Sequence, residues 1–196
     1  MPLGAARFGL LGGVADLGKL ELIETQTADN TSSTIDFTSI DESTYNVHLL
    51  TVNNMSVASA GTNARSIFVR LSNNGGTSFI SSSTYQRAYQ QCNSNGVFNE
   101  IRSTGISYLN LTGAETNSFA PLSSNCYIYF YNLGDSAKYS FSTVHSSGFN
   151  KNNYFRSHFG SAVYPVAETH NAIRLVTSSA ENIEIGSASL YGIAES

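Results

Sequence analysis

The sequence predicts an all-β protein, an antiparallel β-sandwich or jelly roll preceded by an extended N-terminal arm. Apolar and polar residues alternate in short runs separated by small polar turns, the pattern of strands in a sandwich. Ser, Thr and Asn make up about a third of the chain, and these side chains compete with helical backbone hydrogen bonds and favour turns. With 196 residues and 41% hydrophobic content the chain can bury a proper core as one domain. The expected division is residues 1–19 as the arm and residues 20–196 as a single sandwich.

Residues 1–19 (MPLGAARFGLLGGVADLGK) hold five Gly and show no alternation. A signal peptide, with Arg7 as its basic end, is one reading, but the apolar part is short and rich in Gly, a poor secretory helix. An unstructured terminus is a second. The third is an arm that becomes ordered on a partner, anchored by Leu3, Phe8, Leu10 and Leu11, with glycines allowing close backbone approach.

Strand patterns begin at Leu20–Thr25 and Thr34–Phe37. Tyr45–Val52 is long enough for a central strand. In Arg65–Leu71, Ile67, Val69 and Leu71 share one face, and Asn73-Asn74-Gly75-Gly76 suits a tight turn leading to a return strand over Thr77–Ile80. Tyr85–Gln91 has Tyr85 and Tyr89 four apart and reads as a helical turn or an irregular edge. One strand, Ile106–Leu111, is expected within the long polar connection that follows Cys92. Asn125–Asn132 and Lys138–His145 form a hairpin pair, and Phe155–Tyr164 is a strand with Gly160 as a bulge and Pro165 as its stop. Ala172–Thr177 and Ile183–Ile193 read as a closing hairpin with Ile173, Leu175, Ile183 and Ile185 facing a core. Nine or ten strands result, with no linker, repeat or second domain.

Chemistry is sparsely signalled. The net charge is −4 and the ten basic residues are dispersed, so nucleic acid is not an expected partner. No apolar run approaches the ~20 residues that span a bilayer, so membrane insertion by a helix is not expected. His48, His145, His158 and His170 lack metal-ligand spacing, and no cofactor motif is present. No nucleophile elbow occurs. The local carboxylate pairs Glu21/Glu24, Asp36/Asp41 and Glu181/Glu184 fall at strand edges and turns, where charge is expected without catalysis. Cys92 and Cys126 are the only cysteines and read as free, buried thiols, with a mutual disulfide as the alternative. Three Asn-x-Ser/Thr triplets, at Asn30, Asn54 and Asn110, match what this composition yields by chance. The most distinctive row is Tyr127, Tyr129 and Tyr131, on one face of a strand whose other face carries Cys126, Ile128 and Phe130. Such a row pairs with neighbouring strands, forms a subunit interface or stacks on sugar rings.

The two ends of the chain carry a resemblance. Met-Pro-Leu-Gly-Ala-Ala-Arg-Phe-Gly, then Leu-Glu-Leu-Ile-Glu-Thr-Gln-Thr-Ala with Thr-Ile-Asp-Phe-Thr-Ser-Ile, and finally Ile-Glu-Ile-Gly-Ser-Ala-Ser-Leu-Tyr-Gly-Ile resemble virion structural proteins of tailed, particularly marine, bacteriophages. The resemblance covers residues 1–40 and 172–193 and is weak between them. It implies a non-enzymatic protein on the particle surface, a capsid decoration or fibre protein made in the host cytoplasm. Its implied partners are other virion proteins and further copies of itself, by analogy as a trimer, and it brings no catalytic or cofactor residues. Docking would use the arm, with Arg7 paired to a carboxylate of the partner. The competing expectation is a carbohydrate- or receptor-binding adhesin using the Tyr129 row or the loops near Asn73 and Asn150.

Overall fold

The computed structural model describes residues 19–58, 65–110, 123–149, 152, 154–178 and 180–194. The arm residues Leu3, Arg7, Phe8, Leu10 and Leu11 lie outside this set, as does Asn150. The described residues form twelve strands: β1 (Leu20–Thr27), β2 (Thr34–Phe37), β3 (Val47–Val57), β4 (Ile67–Ser72), β5 (Tyr85–Asn93), β6 (Phe98–Ile106), β7 (Leu109–Asn110), β8 (Ser124–Tyr131), β9 (Ser140–Phe149), β10 (Phe155–Tyr164), β11 (Ala172–Thr177) and β12 (Ile183–Ile193). They build an eight-stranded sheet in the order β1-β12-β3-β8-β9-β10-β5-β6 and a four-stranded sheet in the order β2-β11-β4-β7. All neighbours are antiparallel. The fold is an all-β sandwich.

One core joins the sheets. Leu50 and Val52 of β3, Ile128 and Phe130 of β8 and Leu190 of β12 meet Phe37, Ile67, Val69, Leu71, Ile173 and Leu175 of the small sheet, all buried. Each is worth about 1.5–3 kcal/mol relative to an exposed side chain. Polar links span the layers as well. The Leu71 N–H donates to the Tyr85 hydroxyl at 3.1 Å, tying β5 of the large sheet to β4 of the small one. At the β1 end the Tyr45 ring covers Gly192, where a Cβ would lie 2.3 Å from the ring, and the Tyr45 hydroxyl donates to Glu21 at 2.6 Å. Hydrogen bonds from Tyr45 and then Lys19 lower the Glu21 pKa.

Several expected elements differ. Tyr85–Gln91 is not helical and not an edge but part of the inner strand β5, with Tyr85, Tyr89 and Gln91 buried and a register shift against β6 between Tyr85 and Arg87. A four-residue tyrosine spacing fits a strand equally well, because both rings then fall on the same face. The return strand at Thr77–Ile80 is absent. Gly75 and Gly76 adopt the expected left-handed φ of 68° and 82°. The Ser72 and Asn74 side chains then accept from the N–H groups of Gly76 and Ser78, holding a loop instead of a ladder. Instead of one strand over Ile106–Leu111 there are two, β6 ending at Ile106 and β7 beginning at Leu109. β11 and β12 do not pair with each other, so the expected closing hairpin is a corner. β11 lies between β2 and β4, and β12 between β1 and β3. Ile183 is buried, whereas Ile185 is 38% exposed beside a register shift. Gly160 keeps unbroken register with Val144 and Tyr89, so it is no bulge. A Cβ there would meet the Ala88 carbonyl oxygen at 2.4 Å, and that close approach explains the glycine.

Candidate functional site

β8 turns its tyrosines outward as alternation requires, with Cys126, Ile128 and Phe130 buried behind them. The rings form a connected row. Tyr127 meets Tyr129 edge-on at 6.1 Å, and Tyr129 stacks on Tyr131 at 6.5 Å. Cross-strand register then places His145 of β9 beside Tyr127 and Phe159 of β10 beside His145. The His145 ring lies edge-on to Tyr127 at 5.5 Å, its Nδ1 3.2 Å from the Tyr127 hydroxyl and its Nε2 3.2 Å from the Ser157 Oγ. This hydroxyl–imidazole–hydroxyl chain fixes the imidazole, and among the described residues no carboxylate is bonded to it.

β9 reverses the usual sense of a sandwich strand. The buried side of β9 carries Ser140, Ser142, Val144, Ser146 and Gly148, while its outer side carries Phe141, Thr143, His145, Ser147 and Phe149. In β10 His158, Ala162 and Tyr164 are buried, and Phe155 and Phe159 point out, each 46% exposed like Phe141. In β9, bulky rings on the solvent side and small polar groups inside forgo burial that the reverse arrangement would gain. At the neighbouring strand end Phe149 and Phe155 meet edge-on at 6.0 Å. The outer face of the large sheet therefore carries Tyr127, Phe141, Phe155, Phe159 and, on β6, Phe98 as open aromatic surface.

Among these rings Ala88 and Ser161 leave a shallow trough of about 540 Å³, bordered by Phe141, Val163, Gln86 and Arg102. Glu100 stands beside Arg102 on the same strand face, with 4.0 Å between their charged groups. Flat apolar rings bordered by amide, guanidinium and carboxylate groups suit a partly polar protein surface or a sugar.

The remaining candidates are structural. Asp36 takes a two-pronged bond from Arg174 across β2 and β11 at 2.6 Å in both arms, and the guanidinium lies 4.0 Å over the Phe79 ring. Glu181 pairs with Arg65 at 2.6 Å. His48, His158 and His170 are buried. The His48 Nε2 sits 2.7 Å from the Ile40 carbonyl oxygen and the His170 Nδ1 2.8 Å from the Ser140 Oγ. Burial lowers the pKa of all three. Cys92 and Cys126 are free thiols, and burial raises the Cys126 pKa. Of the adhesin loops, Asn73 donates to Glu168 at 3.0 Å. Among the described residues no group of three or more His, Cys, Asp or Glu side chains is placed to hold a metal.

The chain matches no protein-family model and no curated protein sequence. Phe141, Phe155, Phe159 and His145 complete the aromatic face, and none was signalled as part of a site by sequence. The available signal was the phase of β9, in which Phe141 and Phe149 fall on the face opposite Ser140, Ser142 and Ser146.

Proposed function

We propose that this protein is a non-enzymatic structural subunit exposed on a tailed-phage particle, a capsid decoration or fibre protein whose open aromatic sheet face packs against protein in the assembled state. The observation that carries this reading is the outward placement of the rings on β9 and β10, which leaves Phe141, Phe155 and Phe159 half in solvent in the isolated subunit. Surfaces of this kind are characteristic of interaction sites. The virion assignment rests on the resemblance of residues 1–40 and 172–193, and docking by Leu3, Arg7, Phe8, Leu10 and Leu11 belongs to the same proposal. Its partners are other virion proteins and further copies of this chain.

The path of the chain supports a finer reading of the sandwich as a jelly roll. β1, β12, β3 and β8 follow one another in the large sheet, and β2, β11, β4 and β7 in the small one. The sequence neighbours β1/β2, β3/β4, β7/β8 and β11/β12 thus hold matching ranks, as interleaved Greek keys require. β9, β10, β5 and β6 then form an added flap that carries most of the aromatic surface.

A chain truncated to residues 20–196 tests the arm. The expected result is a folded protein missing from purified particles, and normal incorporation would overturn the docking proposal. A cryo-EM map of the particle tests the rest, with the outer face of β8–β10 expected against protein density. The trough between Phe141 and Arg102 favours a second reading, a glycan-binding adhesin, which predicts that face open to solvent and signal on a glycan array.

A further inference from the structure

We infer that two copies of this protein join edge to edge through β6, in antiparallel register about Ile101. β6 ends the large sheet, and among the described strands nothing pairs with its other side. The other sheet ends are blunted in ways natural proteins use to prevent such contacts. β2 has four residues and β7 two, and β1 carries a register shift between Leu22 and Glu24. β6 has its own register shift only at its end, between Ser103 and Ile106; from Phe98 to Ser103 it pairs regularly, and it contains no Pro or Lys.

The backbone defines which groups are available. The Asn93 N–H donates to the Val97 carbonyl, making 93/97 a hydrogen-bonded pair of the β5–β6 ladder. Alternation then turns Asn99, Ile101 and Ser103 toward β5 and leaves the N–H and C=O of Phe98, Glu100 and Arg102 aimed outward. A second β6 can meet these outward groups only in registers that match even-numbered residues. Centring the two-fold axis on Glu100 or on Arg102 sets like charges opposite each other. Centring it on Ile101 sets each Glu100 opposite Arg102 of the second copy, with hydrogen-bonded backbones at both positions, and brings Phe98 opposite Thr104 of the second copy.

Glu100 and Arg102 lie on the outer face, so the two-fold axis runs perpendicular to the sheet and the aromatic faces of both copies become one surface. The intrachain pair is long, at 4.0 Å, and both side chains are well exposed, which leaves them available to a partner. The inference does not depend on the phage assignment, and it specifies a two-fold contact rather than the three-fold one that the resemblance implies.

Charge reversal tests it on the full chain. Wild type is expected to sediment as a dimer, and Glu100→Arg and Arg102→Glu are each expected to raise the dissociation constant about tenfold or more. An equimolar mixture of the two variants restores complementarity at every position and is expected to sediment as a 1:1 heterodimer. Amide exchange at Glu100 and Arg102 should slow as wild-type concentration rises. A wild type that stays monomeric, or single variants that dimerise as tightly as wild type, would overturn the inference. Far-UV circular dichroism spectra of the variants that match wild type separate loss of association from loss of fold.

Discussion

His158 shows how a single side chain limits this fold. It has no exposed surface, and neither ring nitrogen has a hydrogen-bond partner. Burial first, then Arg87 and Arg156, push its pKa down to about 4. An unfolded chain takes up that proton near pH 6.5 while the folded one refuses it, so stability is full above about 6.5 and is lost as pH falls toward 4. The loss is on the order of 3 kcal/mol at the lower end. His158→Phe keeps the ring against Tyr89, now 4.8 Å away, and removes the protonation. Urea unfolding between pH 4.5 and 7 should show a shallower pH slope for this variant than for wild type; parallel slopes would mean that His158 titrates freely in the folded state. Arg174 illustrates the opposite case, since its charge is matched by Asp36 in fork geometry and its plane by Phe79.

At the scale of elements, the large sheet depends on how closely β5 and β10 approach. Gly160 sits where any Cβ would enter the Ala88 carbonyl and the Tyr89 ring. Gly160→Ala should therefore cost about 1–3 kcal/mol, as overpacking does. Equilibrium denaturation measures it, and a cost under about 0.5 kcal/mol would mean that the two strands do not meet in this register. Strands with strict alternation and turn residues at both ends were legible from sequence: β1, β2, β4, β8 and β10 all fall where expected. The misreadings have two physical causes. β5 and β6 are so polar that alternation is faint, because β6 ends the sheet and neither of its faces has buried residues. β11 and β12 were located correctly, but sequence patterns report which face is apolar and not which strand is the neighbour, so a corner between sheets read as a hairpin. The tyrosine row was legible because a single strand carries it. The rest of the face was not, because Phe141, His145 and Phe159 join it only through cross-strand register.

For the whole molecule, the balance between inner and outer faces decides whether the aromatic surface belongs to folding or to assembly. Were Phe141 and Phe159 needed for the fold, their rings would be covered by the chain itself; both are instead nearly half exposed. Changing both to Thr puts β-branched residues, which suit strands, in place of the rings and removes apolar area that only a partner would cover. The double variant should keep the wild-type unfolding free energy within about 1 kcal/mol, the sum expected for two surface sites. It should bind less of a dye that reports exposed apolar surface, and it should fail to enter particles. A large loss of stability would instead assign the rings to the sandwich itself. Retained stability with normal incorporation would separate the face from assembly and leave the glycan reading to account for it. The β6 contact is insulated from this test, since neither ring lies on that strand, so the two surfaces can be lost one at a time.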